Sequence, residues 1–75
     1  MNRQEQIELL EEMMDLDDEN LTEETILEDI DEYDSFFKLY LFTYVKKELN
    51  KRITVAEIVE FKTVKDICDY LSANE

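Results

Sequence analysis

Residues 34–50 read DSFFKLYLFTYVKKELN, and this stretch holds five of the chain's eight aromatic residues. Asp34 is a good helix N-cap, since a short carboxylate can accept from the free N–H groups of a first turn. From Phe36 to Leu49 strong helix formers run without a breaker, and Asn50 can close the helix in the left-handed conformation. The stretch therefore predicts a helix that starts at Ser35. It is apolar on two sides. Leu41, Phe42, Val45 and Leu49 make one stripe, the expected core face; Phe37, Tyr40 and Tyr44 make another at i, i+3 and i+7. Only one can face the core fully. The second stripe either packs under a neighbouring loop or short helix, or it binds a partner.

Outward from this helix, the chain has no Gly and no Pro, so boundaries must come from caps and periodicity. Upstream, Ile7, Leu10, Met13 and Met14 recur at helical spacing and predict an amphipathic helix from about Glu5 to Leu16. Between them, from Asp17 to Asp34, lies an acidic, weakly periodic segment that reads as a long ordered loop, with Leu21, Ile26, Leu27 and Ile30 as anchors onto a core. Downstream, Thr54-Val55-Ala56-Glu57 has the form of a capping box and opens a short helix to about Glu60. Thr63-Val64-Lys65-Asp66 repeats the arrangement with Asp. Val64, Ile67, Cys68 and Leu71 then line one face of a last helix ending near Ser72. The expected fold is all-α: one domain over residues 1–75, with three longer helices, one short helix and a long loop between the first and second.

Composition narrows the function. A domain of 75 residues buries only about 60% of the surface its unfolded chain exposes, so the core is modest. Asp and Glu number 21 against 8 Lys and Arg, a formal net charge of -13. Such a chain repels nucleic-acid phosphates and anionic membranes and favours basic protein surfaces. Every charged residue from Asp15 to Asp34 is acidic, whereas seven of the eight Lys and Arg follow Ser35. One cysteine, Cys68, allows no intramolecular disulfide, and its core spacing marks it as a small apolar residue. The expectation is a cytoplasmic monomer with no nucleic-acid partner and no membrane insertion.

Histidine is absent, which removes Ser-His and Cys-His nucleophile pairs and the commonest neutral metal ligand. The run Asp15-Leu16-Asp17-Asp18-Glu19-Asn20 suggests a calcium loop, but it puts Asn20 where the glycine belongs and Ile26 where the bidentate Glu belongs. No catalytic residue and no metal site are expected. The chain is not expected to be an enzyme.

A long acidic loop that ends in Asp-Ser at a helix start is the arrangement of the acyl carrier proteins, and the chain resembles that family over nearly its whole length. Asp34-Ser35-Phe36 looks like the family's Asp-Ser-Leu attachment motif. Glu28-Asp29-Ile30 is similar to its Glu-Asp-Leu, and Thr63-Val64 with Ile67 and Tyr70-Leu71 is similar to its last helix. The resemblance implies that Ser35 is esterified by 4'-phosphopantetheine from coenzyme A, whose thiol holds an acyl or aminoacyl group as a thioester. The implied partners are a phosphopantetheinyl transferase, a loading ligase or acyltransferase, and downstream enzymes of lipid or secondary-metabolite biosynthesis. Asp34 then belongs to the motif as well as to the cap. Phe36, Phe37, Tyr40, Tyr44, Asp31 and Glu32 are the expected partner-binding residues.

The chain departs from the family at three places. Asp31-Glu32-Tyr33 contains no glycine before the motif. Phe37, Tyr40 and Lys46 stand where the family's second helix is usually acidic, and Ile53-Thr54 replaces Ile-Pro. The second departure points to a specialised carrier of aminoacyl or D-alanyl type. The alternative is an acidic helical interaction module of the same fold that is never modified.

Overall fold

A computed structural model of the chain describes residues 2–16 and 21–74. Four α-helices follow one another in it: α1 (Arg3–Met13), α2 (Ser35–Glu48), the short α3 (Val55–Glu60) and α4 (Val64–Ala73). Among the described residues there is no strand, and the fold is all-α. Residues 17–20 lie outside the described residues, and with them the start of the expected loop and most of the rejected calcium run.

Each helix begins where a side chain can satisfy free N–H groups. In α1 the cap is Asn2, whose Oδ1 accepts from Glu5 N–H at 2.8 Å while Glu5 Oε1 accepts from Asn2 N–H at 3.0 Å. The helix thus starts two residues before the expected Glu5. It also ends early, at Met13, where Asp15 takes a left-handed φ of 56°. There Asp15 N–H donates to Glu12 C=O at 3.1 Å and Leu16 N–H to Glu11 C=O at 3.0 Å, closing the end as a Schellman motif. In a chain without glycine, Asp15 and Asn50 (φ 52°) are the non-glycine residues that take this conformation among those described, and Asn and Asp tolerate it best.

The Thr54 box forms as expected: Thr54 N–H donates to Glu57 Oε1 at 3.0 Å and Glu57 N–H to Thr54 Oγ1 at 3.2 Å. Before α4, Asp66 Oδ2 accepts from Lys62 N–H at 2.8 Å and from Thr63 N–H at 3.0 Å. These two bonds hold the Asp66 carboxyl below the usual carboxylate range.

The core gathers Leu10, Met13 and Met14 at the end of α1, Phe37, Leu41 and Val45 of α2, Ile58 of α3, and Val64, Ile67, Cys68 and Leu71 of α4. Leu27 and Ile53, from the connecting segments, complete it. The α4 face is the one its spacing predicts. Ile7, Phe42 and Leu49, expected in the core, are only partly buried against it. α1 packs on both α4 and α2. Where α1 meets α4, the buried amide of Gln6 donates from Nε2 to Ser72 Oγ at 2.8 Å. Arg3 joins three segments, with Nε 3.0 Å from Glu23 and a terminal nitrogen 2.7 Å from Asp69.

The loop is ordered by the backbone as well as by anchors. Ile26 and Thr63 form an isolated antiparallel bridge. Leu27 N–H donates to Lys62 C=O, Val64 N–H to Thr25 C=O and Lys65 N–H to Glu23 C=O, each at 3.0 Å. This seam turns Leu27 fully into the core and leaves Ile26 exposed, so Ile26 is not the anchor it was expected to be. A single 3₁₀ turn, Leu27–Asp29, follows. The Cα radius of gyration of 11.3 Å matches the ~11 Å of a compact chain of this length, and the described part of the loop, residues 21–34, lies down on the bundle.

Candidate functional site

The site is the junction between the loop and α2. Below it the chain is fixed in three steps: Ile30 N–H donates to Leu27 C=O, Tyr33 N–H donates to Ile30 C=O, and Leu27 itself is buried. The half-buried Tyr33 ring then meets the Phe37 ring at 5.5 Å between centroids, and Lys38 Nζ sits 5.0 Å from the Tyr33 centroid. Burial pushes the Tyr33 hydroxyl pKa above its ordinary value. The aromatic clamp holds the start of α2 on the core.

Asp34 caps the helix, its Oδ1 accepting from Phe37 N–H at 3.0 Å, with the backbone extended at φ -120° and ψ -171°. Ser35 is the first helical residue and is exposed. As the first two residues of the helix, Ser35 and Phe36 have N–H groups with no partner inside it, and the positive end of the helix dipole lies there. An anion esterified to the Ser35 hydroxyl would sit beside those groups. The exposed carboxylates of Asp31, Glu32 and Asp34 ring the same end.

The expected partner-binding residues divide. Phe36 is 82% exposed and Tyr40 54%, so both can meet a partner. Tyr44 is half-buried. Phe37 is only 2% exposed; it belongs to the core with Leu41 and Val45 and is not a docking residue. The cause is helical spacing: Phe37 precedes Leu41 by four residues and Val45 by eight, on the face turned to the core, and the Tyr33 ring packs against it. Leu39, 63% exposed, was missed, as was the groove of about 470 Å³ that it lines with Tyr40, Thr43, Tyr44 and Lys47. The signal was present: counted from Phe36 and not from Phe37, the spacing Phe36, Leu39/Tyr40, Thr43, Lys47 follows one helix face. A second groove of about 410 Å³ lies beside the clamp, lined by Glu28, Tyr33, Lys38, Ile58, Val59 and Phe61.

Cys68 is fully buried, and burial pushes its thiol pKa up despite the nearby Arg3 guanidinium, which acts in the opposite direction. No helix among the described residues is long and apolar enough to cross a membrane. No protein-family model, curated protein sequence or solved structure matches the chain significantly.

Proposed function

We propose that the protein is a carrier that holds an acyl or aminoacyl group as a thioester on a 4'-phosphopantetheine arm at Ser35 and passes it between enzymes in the cytoplasm. The observation that carries this reading is the placement of Ser35: an exposed hydroxyl on the first residue of α2, directly after a capping Asp, at the end of a long acidic loop fixed to the core. In the modification, Ser35 Oγ forms a bond to the pantetheine-bearing phosphorus of coenzyme A. The pyrophosphate bond breaks, adenosine 3',5'-bisphosphate leaves, and the serine proton goes to a base of the transferase. The chain supplies the acceptor hydroxyl and the N–H groups beside it. It is a substrate of the transferase and not itself an enzyme, which is why the absence of histidine costs this reading nothing.

Docking to the transferase and to a loading ligase or acyltransferase uses Phe36 and Tyr40, with the carboxylates of Asp31, Glu32 and Asp34 steering encounter over a longer range. The shortage of acidic residues on α2 supports a specialised pathway over a housekeeping one.

The test is the intact mass after incubation with coenzyme A and a promiscuous phosphopantetheinyl transferase. One added phosphopantetheine on the wild-type chain and none on Ser35→Ala is the expected result; modification that persists in Ser35→Ala refutes the assignment. An unmodified wild-type mass decides for an acidic interaction module of the same fold. That reading is favoured by the Asp34–Phe37 cap, which by itself accounts for Asp-Ser as a plain helix start.

A further inference from the structure

We propose that the exposed face of α2 is a two-fold contact between two copies of this chain, with the two α2 helices antiparallel and the acidic end of each against the basic end of the other. Net charge alone favours a monomer; the distribution of charge around α2 does not. From Asp31 to Arg52 the chain carries five cations (Lys38, Lys46, Lys47, Lys51, Arg52) against four acids (Asp31, Glu32, Asp34, Glu48), a local net charge of +1. The remaining residues then carry -14, since -13 - 1 = -14. Around α2 the like charge that keeps two copies apart is locally cancelled.

The charges are also sorted along the axis. Asp31, Glu32 and Asp34 stand at the N-terminal end, whereas Lys46, Lys47, Lys51 and Arg52 stand at and beyond the C-terminal end; all seven are exposed. Among the described residues none of these four cations forms an ion pair. Between the two ends lies the apolar stripe Phe36, Leu39 and Tyr40 with its groove. A two-fold axis through the middle of the helix, between Tyr40 and Thr43, sets Phe36 against Lys47 of the second copy and brings the Asp31–Glu32 end against its Lys51–Arg52 end. Every acidic end thereby meets a basic end, and the two helix dipoles oppose.

α2 has 14 residues and is roughly 21 Å long, so the seam is short and the dimer belongs to the weak, transient class. At roughly 100° per residue, Ser35 lies about a third of a turn from the centre of the stripe and outside the seam. The contact therefore does not depend on modification of Ser35.

Sedimentation equilibrium of the unmodified chain and of Ser35→Ala, from roughly 1 µM to 1 mM near physiological salt, is the test. The expected mass rises from 9.1 kDa toward twice that value, 18.2 kDa. Two charge-reversed variants settle the geometry. Asp31→Lys/Glu32→Lys and Lys51→Glu/Arg52→Glu should each stay monomeric alone, because like charges then face each other. Mixed one to one they should associate at least as well as wild type, since an antiparallel heterodimer pairs every reversed charge. Leu39→Glu should abolish association. If that variant fails to fold, the surface charge reversals still decide. A wild-type chain that remains monomeric at roughly 1 mM overturns the proposal and gives the face to a foreign partner's segment. Mixing that restores nothing overturns the antiparallel arrangement.

Discussion

Phe37 and Tyr40 are three residues apart on one helix, and replacing each by alanine should have opposite consequences. Phe37 is 2% exposed, touches the core below and stacks obliquely on Tyr33 at 5.5 Å. Phe→Ala in a packed core costs about 3 to 5 kcal/mol, of which the ring pair accounts for roughly 0.5 to 1.5. A domain of this size has a total stability of about 4 to 11 kcal/mol, so Phe37→Ala removes a large fraction of it. At roughly 4 to 8 °C per kcal/mol the midpoint should fall by at least ~12 °C. Tyr40 is 54% exposed, and its replacement should change stability by less than about 1 kcal/mol. Binding should answer in the reverse order: Tyr40→Ala weakens docking to the cognate loading enzyme by roughly 1 to 3 kcal/mol, mostly through faster dissociation. Urea melts of both variants, followed by binding kinetics on Tyr40→Ala, check this. A Phe37→Ala protein within 1 kcal/mol of wild type would refute the placement of the core. A Tyr40→Ala protein that binds unchanged would refute the docking role of the face.

Stability should rise from low to moderate salt by roughly 1 kcal/mol, because a net charge of -13 on a small core is self-repelling and screening relieves it; thermal melts at two ionic strengths read this. Asp66→Asn should destabilise the fold at neutral pH. Its folded pKa is lowered, so the contribution is present above the ordinary carboxyl value of 3.8 and is lost as pH falls through the lowered one; the melting difference between variant and wild type should shrink over that acidic window. Asp15→Gly should stabilise by about 1 kcal/mol, since glycine adopts the left-handed φ of 56° without steric cost, as a denaturant midpoint would record. Cys68, buried with a raised thiol pKa, should react with a disulfide reagent only as fast as the chain opens and readily in denaturant.

What the sequence determined by itself is what depends on residues three or four apart. Asp34 capping α2, Asn50 ending it, the Thr54–Glu57 box and the Val64, Ile67, Cys68, Leu71 face of α4 are all settled within one or two helical turns, and all are as the spacing predicts. The Asn2–Glu5 box and the Asp15 closure of α1 obey the same local rules and were legible in principle. The sequence also fixed Ser35 as the first residue of α2. Tertiary structure decided what no single helix can know about itself. Two stripes of α2 were apolar enough to be core; the folded chain buries Leu41 and Val45 of the expected one, takes Phe37 from the other beneath the Tyr33 ring, and leaves Tyr40 outside with Phe36 and Leu39. In the loop, the bridge to Thr63 turned Leu27 inward and Ile26 outward, a choice made by a segment nearly forty residues away. Gln6 is buried where α1 meets α4, and its Nε2 finds its acceptor in Ser72 Oγ, 66 residues along the chain. Local windows encode propensity and caps; they do not encode which face a distant element will cover, because that is fixed only when the chain closes on itself.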